Sequence, residues 1–299
     1  MPWMKVSGLS CTFRGKRVVD DVSLTLRAGS VTGFVGSNGA GKTTTLRLML
    51  GLLRGEGATT FLGRPLTQWS APARVVGAVF GGVGGHPKHR IRDHLRMVAA
   101  GAGASNARVD ELLETVGMTG AAKMRISQLS LGMAQRVGIT QAVIGSPRVL
   151  VLDEPSNGLD PHAIRWLRGF LRDLAADGVA VLVSSHLLVE MEQLADRVVV
   201  LSRGRVVAET PMEALLSYAV SKRTVTVQTS ELVELAGLVK RAGGLLEVTG
   251  GQKAEISGLS RVQVADMAAV NGIALYRLDE QSPSLEDFYV TIAQEDFKI

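Results

Sequence analysis

The chain has 299 residues, 46% hydrophobic and 20% charged, so it carries enough apolar matter for a packed core and is not a disordered polyelectrolyte. A formal charge of +5 suits an anionic nucleotide, an acidic membrane surface or nothing specific, while 4% aromatics, with no basic stretch interleaved by them, argue against nucleic acid held by base stacking. No stretch reaches the roughly 18 consecutive apolar residues of a membrane span, residues 1–5 lack the apolar core of a secretory leader, and the lone Cys11 has no internal disulfide partner, which fits a reducing cytosol.

In chain order, residues 5–13 and 21–26 alternate in the strand manner, with turns at Gly15-Lys16 and Ala28-Gly29. Residues 31–35 form a buried strand that runs into a glycine loop and a helix over about 42–50. A short strand over 76–80 precedes Gly81-Gly82-Val83-Gly84-Gly85. Residues 94–143 are mostly helical, broken at 101–104 and near Gly120. A purely apolar strand over 149–152 is followed by a helix (163–176), a strand (180–183), a helix (187–194) and a strand (197–201). Strands alternating with helices predict a mainly parallel sheet covered on both faces. The composition shifts near Ser217, and strands at 224–228, 245–249, 254–257 and 273–278 with helices at 231–241 and 261–270 follow in the βαββαβ order of a ferredoxin-like unit, with a last helix at 284–293. The expected domains are 1–217 and 218–299.

Two motifs carry chemistry. Gly36-Ser37-Asn38-Gly39-Ala40-Gly41-Lys42-Thr43, followed by Thr44, fits G-x-x-x-x-G-K-[ST] between a buried strand and a helix. Glycines let backbone N–H groups close around phosphate oxygens, the helix start adds positive potential, Lys42 can reach the β and γ phosphates, and Thr43 can ligate Mg²⁺. Val149-Leu150-Val151-Leu152 ends in Asp153-Glu154, at the strand end where ligands of parallel sheets sit. Asp153 is placed to hold Mg²⁺ and Glu154 to act as general base on the attacking water.

These motifs leave many P-loop NTPases open. Leu129-Ser130-Leu131-Gly132-Met133-Ala134-Gln135-Arg136, shortly before the acidic strand, resembles the L-S-G-G-Q signature of ABC proteins. Over residues 3–216 the chain resembles the ATP-binding cassette of that family. Ser156-Asn157-Gly158-Leu159-Asp160 looks like its D-loop, and His186 stands at its switch-histidine position. The resemblance implies an α/β fold: a RecA-like P-loop core with a helical subdomain at about 87–145, plus a small C-terminal α+β domain. It implies ATP and Mg²⁺, and two copies sandwiching two nucleotides. Ser130 and Gly132 would approach the γ-phosphate held by the second copy, His186 would orient the water, Asp160 would link the sites, and Phe13 would stack on adenine. It further implies a separate integral-membrane permease, a place on the inner face of the cell membrane, and, from the appendage ending in Ser-Leu-Glu-Asp-Phe (284–288), export of a drug, antibiotic or similar compound.

The sequence departs from the family pattern in places. Leu131 and Met133 replace the signature's first Gly and its Gln, and Gly81 stands where a Gln that senses Mg²⁺ and water is usual. These departures leave a hydrolysis-poor regulatory protein as the alternative. The histidine- and cation-rich run 86–94 is a poor zinc set; by the resemblance it is a face toward the permease or anionic lipid, with a solvated basic face as the alternative.

Overall fold

The structure, a computed structural model, describes residues 2–221 and 224–281. It divides into two compact units between Met212 and Glu213. The first unit runs β1 (Met4–Phe13), β2 (Lys16–Leu26), β3 (Val31–Val35), α1 (Lys42–Met49), β4 (Glu56–Phe61), β5 (Val76–Phe80), α2 (Ile91–Ala102), α3 (Asn106–Thr115), α4 (Leu131–Val143), β6 (Val149–Asp153), α5 (Pro161–Ala176), β7 (Ala180–Ser185), α6 (Leu188–Glu192), β8 (Arg197–Ser202) and β9 (Arg205–Pro211).

Its main sheet has the order β5-β6-β7-β3-β8-β9. All neighbours are parallel except β9, which pairs antiparallel with β8 at one edge. The central strands are apolar because both faces are covered: Val149, Leu150, Val151 and Leu152 of β6 and Ala180, Val181 and Leu182 of β7 are all 0% exposed. Burying one such side chain contributes roughly 1.5–3 kcal/mol. Gly33 in β3 lets α6 pack closely, since a Cβ there would lie 2.9 Å from the Met191 sulfur and push that side chain aside. Helix α5 buries Ala163, Leu167, Phe170, Leu171 and Ala175, one stripe at three- and four-residue spacing. A second, antiparallel sheet of order β2-β1-β4 shares a core with α1 through Met4, Leu24, Leu46, Met49 and Phe61. Helices α2, α3 and α4 fall within the expected helical segment.

Helix α7 (Met212–Ser221) spans the division. The second unit continues with β10 (Thr224–Gln228), α8 (Leu232–Arg241), β11 (Leu245–Gly250), β12 (Lys253–Ser257), α9 (Arg261–Val270) and β13 (Arg277–Gln281). Its sheet is fully antiparallel in the order β11-β12-β10-β13, the ferredoxin-like arrangement. Val225, Val227, Ala254 and Ile256 alternate onto one face and pack against Leu235 and Val239 of α8 and Val264 and Ala268 of α9. The expected last strand at 273–278 is displaced to β13. Ile273, 5% exposed, is core-packed from a loop, and the more polar Arg277–Gln281 pairs with β10. The expected helix at 284–293 lies outside the described residues. Among the described residues no helix is long and apolar enough to cross a membrane.

Candidate functional site: the carboxyl ends of three parallel strands

Strands β6, β7 and β3 are neighbours, so the chain segments leaving their carboxyl ends converge. The loop after β3 runs into α1, whose first residue is Lys42. Gly41, at φ +105°, occupies backbone that other residues rarely adopt, and a Cβ there would come within 2.7 Å of the Val18 carbonyl oxygen. A Cβ at Gly36 would approach the Leu201 carbonyl oxygen to 2.6 Å.

The loop residues divide by role. Asn38, Gly39, Gly41, Lys42, Thr43 and Thr44 line a cleft of about 280 Å³ together with Val18, Glu154 and Asn157. Gly36, Ser37 and Ala40 brace the loop from behind. The Gly36 N–H donates to the Ser185 carbonyl (3.3 Å), and the Ala40 N–H donates to the Ser37 carbonyl (3.1 Å). In this structure the Gly36 and Ala40 amides are thus bonded within the protein.

The Lys42 ammonium, 6% exposed, donates to the Gly36 carbonyl at 2.6 Å and the Ser37 carbonyl at 3.3 Å, and it pairs with Glu154 Oε1 at 3.0 Å. Thr43 Oγ1 donates to Asp153 Oδ2 at 2.7 Å. Ser184, at the end of β7, donates its hydroxyl to Asp153 Oδ1 (2.7 Å) and accepts the Glu154 N–H (2.9 Å). That second bond holds Glu154 at φ +48°, a left-handed conformation that costs a non-glycine residue roughly 1–2 kcal/mol. His186 Nδ1 lies 2.9 Å from Glu154 Oε2. Burial pushes the Glu154 carboxyl up, but the hydrogen bond from His186 and then the Lys42 contacts outweigh it, so its pKa is lowered overall. The result is an ionised carboxylate between an ammonium and an imidazole, one residue after a carboxylate bonded to a threonine hydroxyl. Thr43 and Asp153 are oxygen donors of the kind Mg²⁺ takes.

The other expected residues stand apart from this bonded cluster. Ser130 caps α4, accepting the Met133 N–H at 3.3 Å, and Gly132 lies in that helix's first turn. Leu131 is 55% exposed beside Gly158. Asp160 caps α5, accepting the Ala163 N–H at 2.8 Å, and this bond is the main reason its pKa is lowered. Phe13, 47% exposed at the end of β1, is absent from the cleft lining, where Val18 stands instead. Gly81 follows Phe80, the register partner of Asp153, with φ +73° and open space where a side chain would begin. His94 does not belong to an outward basic face: it is 3% exposed and hydrogen-bonds Gln141 at 3.0 Å.

Sequence reasoning missed Ser184 and Val18, and it named Asn157 only as part of the D-loop-like stretch, not as a wall of the cleft. Ser184 had a signal: strand 180–185 ends in two serines after four apolar residues, at the end of a strand where parallel sheets bind ligands.

Residues 19–157 match the family described as "ABC transporter", and residues 223–286 match a "Domain of unknown function (DUF8746)". The chain is 33% identical to the ABC transporter ATP-binding protein YhcH of Bacillus subtilis, over 98% of this chain and 96% of that one. It is 31% identical to the bacitracin transport ATP-binding protein BcrA of Bacillus licheniformis (97% and 96%), and 32% identical to the Nod factor export ATP-binding protein I of Bradyrhizobium diazoefficiens (95% and 94%). A solved ATP-binding subunit of an ABC transporter superposes with TM-score 0.66 at 28% identity, covering 72% of this chain and 92% of that one. With the phosphate loop, acidic strand end and signature helix placed on this fold, the chain belongs to the ABC transporter ATP-binding proteins and is an ATP-binding ATPase subunit of that family.

Proposed function

We propose that this subunit powers an exporter, working as two copies with a separate integral-membrane permease at the cytoplasmic face of the membrane, on an antibiotic-like or similarly amphipathic cargo. The observation that carries the motor reading is the cluster of Lys42, Asp153, Glu154 and His186 at adjoining strand ends, bonded within 3.0 Å of one another or of Thr43. The export reading is supported by relatives matched over nearly the whole chain, whose names give bacitracin transport and Nod factor export.

The chain's own residues account for the chemistry. Lys42 has three N–H donors and meets three acceptors: two loop carbonyls and Glu154. A phosphate entering the loop competes with Glu154 for that ammonium. Once Lys42 turns to it, burial's upward push on the Glu154 carboxylate is less opposed, and the group becomes a stronger acceptor for a proton of the attacking water. His186 keeps Glu154 oriented through Nδ1 and leaves Nε2 for the γ-phosphate. Thr43 and Asp153 would hold Mg²⁺, which supplies charge neutralisation on the phosphates. Ser130 and Gly132 would meet the γ-phosphate held by the partner subunit's Lys42, as an exposed helix start favours an anion. Asp160 would link the two sites, and Phe13 would cover the adenine.

Size-exclusion chromatography tests the pairing. Glu154→Gln at saturating Mg²⁺-ATP should elute as a dimer, and adding Ser130→Arg should return it to monomer. A Glu154→Gln protein that stays monomeric under those conditions contradicts the two-copy site.

A further inference from the structure

We propose that Glu190 is a positioning residue for ATP hydrolysis, its carboxylate fixing the segment that carries Glu154 against the one that carries His186; this rests on the roles given above to those two residues. Glu190 Oε2 accepts the Ser156 hydroxyl at 2.7 Å and the Ser185 hydroxyl at 2.8 Å. Ser156 lies two residues after Glu154, and Ser185 immediately precedes His186. The Ser185 oxygen also accepts the Leu187 N–H at 3.0 Å, so the turn that presents His186 is held on both sides. One carboxylate oxygen thus staples the same two segments whose tips meet in the 2.9 Å contact between Glu154 and His186.

The staple has a firm base. Glu190 sits on α6 next to Met191, which is 2% exposed and packed against Gly33 of β3. Glu190 and Ser156 border a small cavity of about 20 Å³ whose other walls include Ile164, Leu167, Val183 and Met191. Glu190 is half-buried against these mostly apolar walls, where water competes less for its carboxylate than at an open surface. Arg168 borders the same cavity but is hydrogen-bonded to Gln193, and among the described residues no cation pairs with Glu190. Its work is therefore the holding of two hydroxyls.

Steady-state ATP turnover of the full chain decides the matter, with Glu154→Gln and His186→Ala measured alongside. Glu190→Ala should lower kcat about 10- to 100-fold with KM for ATP within about twofold, the pattern of a misplaced reacting group. Glu190→Gln keeps an oxygen that accepts both hydroxyls and should return kcat to within about threefold of wild type. Ser156→Ala should lower kcat by itself and add little to Glu190→Ala, because the bond they share is already gone. Wild-type kcat in Glu190→Ala, equal losses in the Gln and Ala variants, or an effect confined to KM overturns the inference. If Glu190→Ala does not fold, Ser156→Ala decides: it must lower kcat with KM unchanged. Should Glu154→Gln and His186→Ala retain turnover, the reading of the site itself fails; should they lose it while Glu190→Ala does not, only the positioning role fails.

Discussion

Lys42, Asp153, Glu154 and His186 are each tied to a group on another strand end, whereas Ser130 and Gly132 sit at a helix start held by one cap bond, with Leu131 exposed beside them. The first set is positioned by the sheet: β3, β6 and β7 are neighbours buried on both faces, and their carboxyl ends bring these side chains within bonding distance of one another or of Thr43. The second set sits at a partly exposed helix start, where the positive end of the helix favours an anion. On the two-copy reading proposed above, the contrast separates the half of the reaction that one copy builds by itself from the half that needs a second surface.

The variant expected to break the first half most severely is Lys42→Ala. It removes a buried ammonium and strips Glu154 of its ion pair, so ATP affinity in equilibrium binding should fall on the order of 100-fold or more and turnover should drop to background. Binding within a few-fold of wild type would detach the loop from the nucleotide. Next in size is Ser184→Ala, which leaves the Glu154 N–H and Asp153 Oδ1 each short of a partner. Turnover should fall about tenfold and unfolding in denaturant should shift by about 1–3 kcal/mol, whereas removal of the Ser130 cap by Ser130→Ala should cost stability at the low end of about 0.5–2 kcal/mol. Similar stability losses in the two would erase the contrast.

Gly81→Gln probes a residue that neither half holds. At φ +73° a glutamine costs about 1 kcal/mol, yet the space around it is open. Turnover should rise despite that cost, and unchanged turnover with unchanged stability would remove Gly81 from the account. The smallest effect concerns pH. Because Glu154's pKa is lowered on folding, its pairing contributes stability that is full above the ordinary glutamate range and is lost as pH falls through the folded-state value. In thermal unfolding, the part of the gap between wild type and Glu154→Gln that comes from this pairing should shrink over that acid window. A gap independent of pH would mean that the Glu154 contacts carry no net electrostatic stabilisation.

The sequence made the buried strands and the phosphate loop legible because each signal is local. Four apolar residues before Asp153-Glu154 fit a strand buried on both faces, a reading strengthened by the phosphate loop upstream, and the glycine spacing specifies its own turn. Two partly exposed edge strands of the first unit were not legible. Glu56–Phe61 buries only Phe61 fully, and Arg205–Pro211 buries none of its residues fully; edge strands like these carry no clear alternation. In the site, Glu190 was missed for a different reason: its role comes from a contact across 34 residues, which no spacing rule anticipates. Ser184 bonds across 31 residues, and only its place at a strand end was a local cue. His94 was misjudged because its neighbours Lys88, Arg90 and Arg92 make the segment read as a charged face, while the helix turns that one ring inward to Gln141.

The most direct test of the central claim is Mg²⁺-dependent ATP turnover by the purified chain beside Glu154→Gln. Turnover in the wild type that falls on the order of 100-fold or more in the variant, with ATP still bound by both, is the predicted result. Equal turnover in the two would contradict it and would move the general base away from the end of β6.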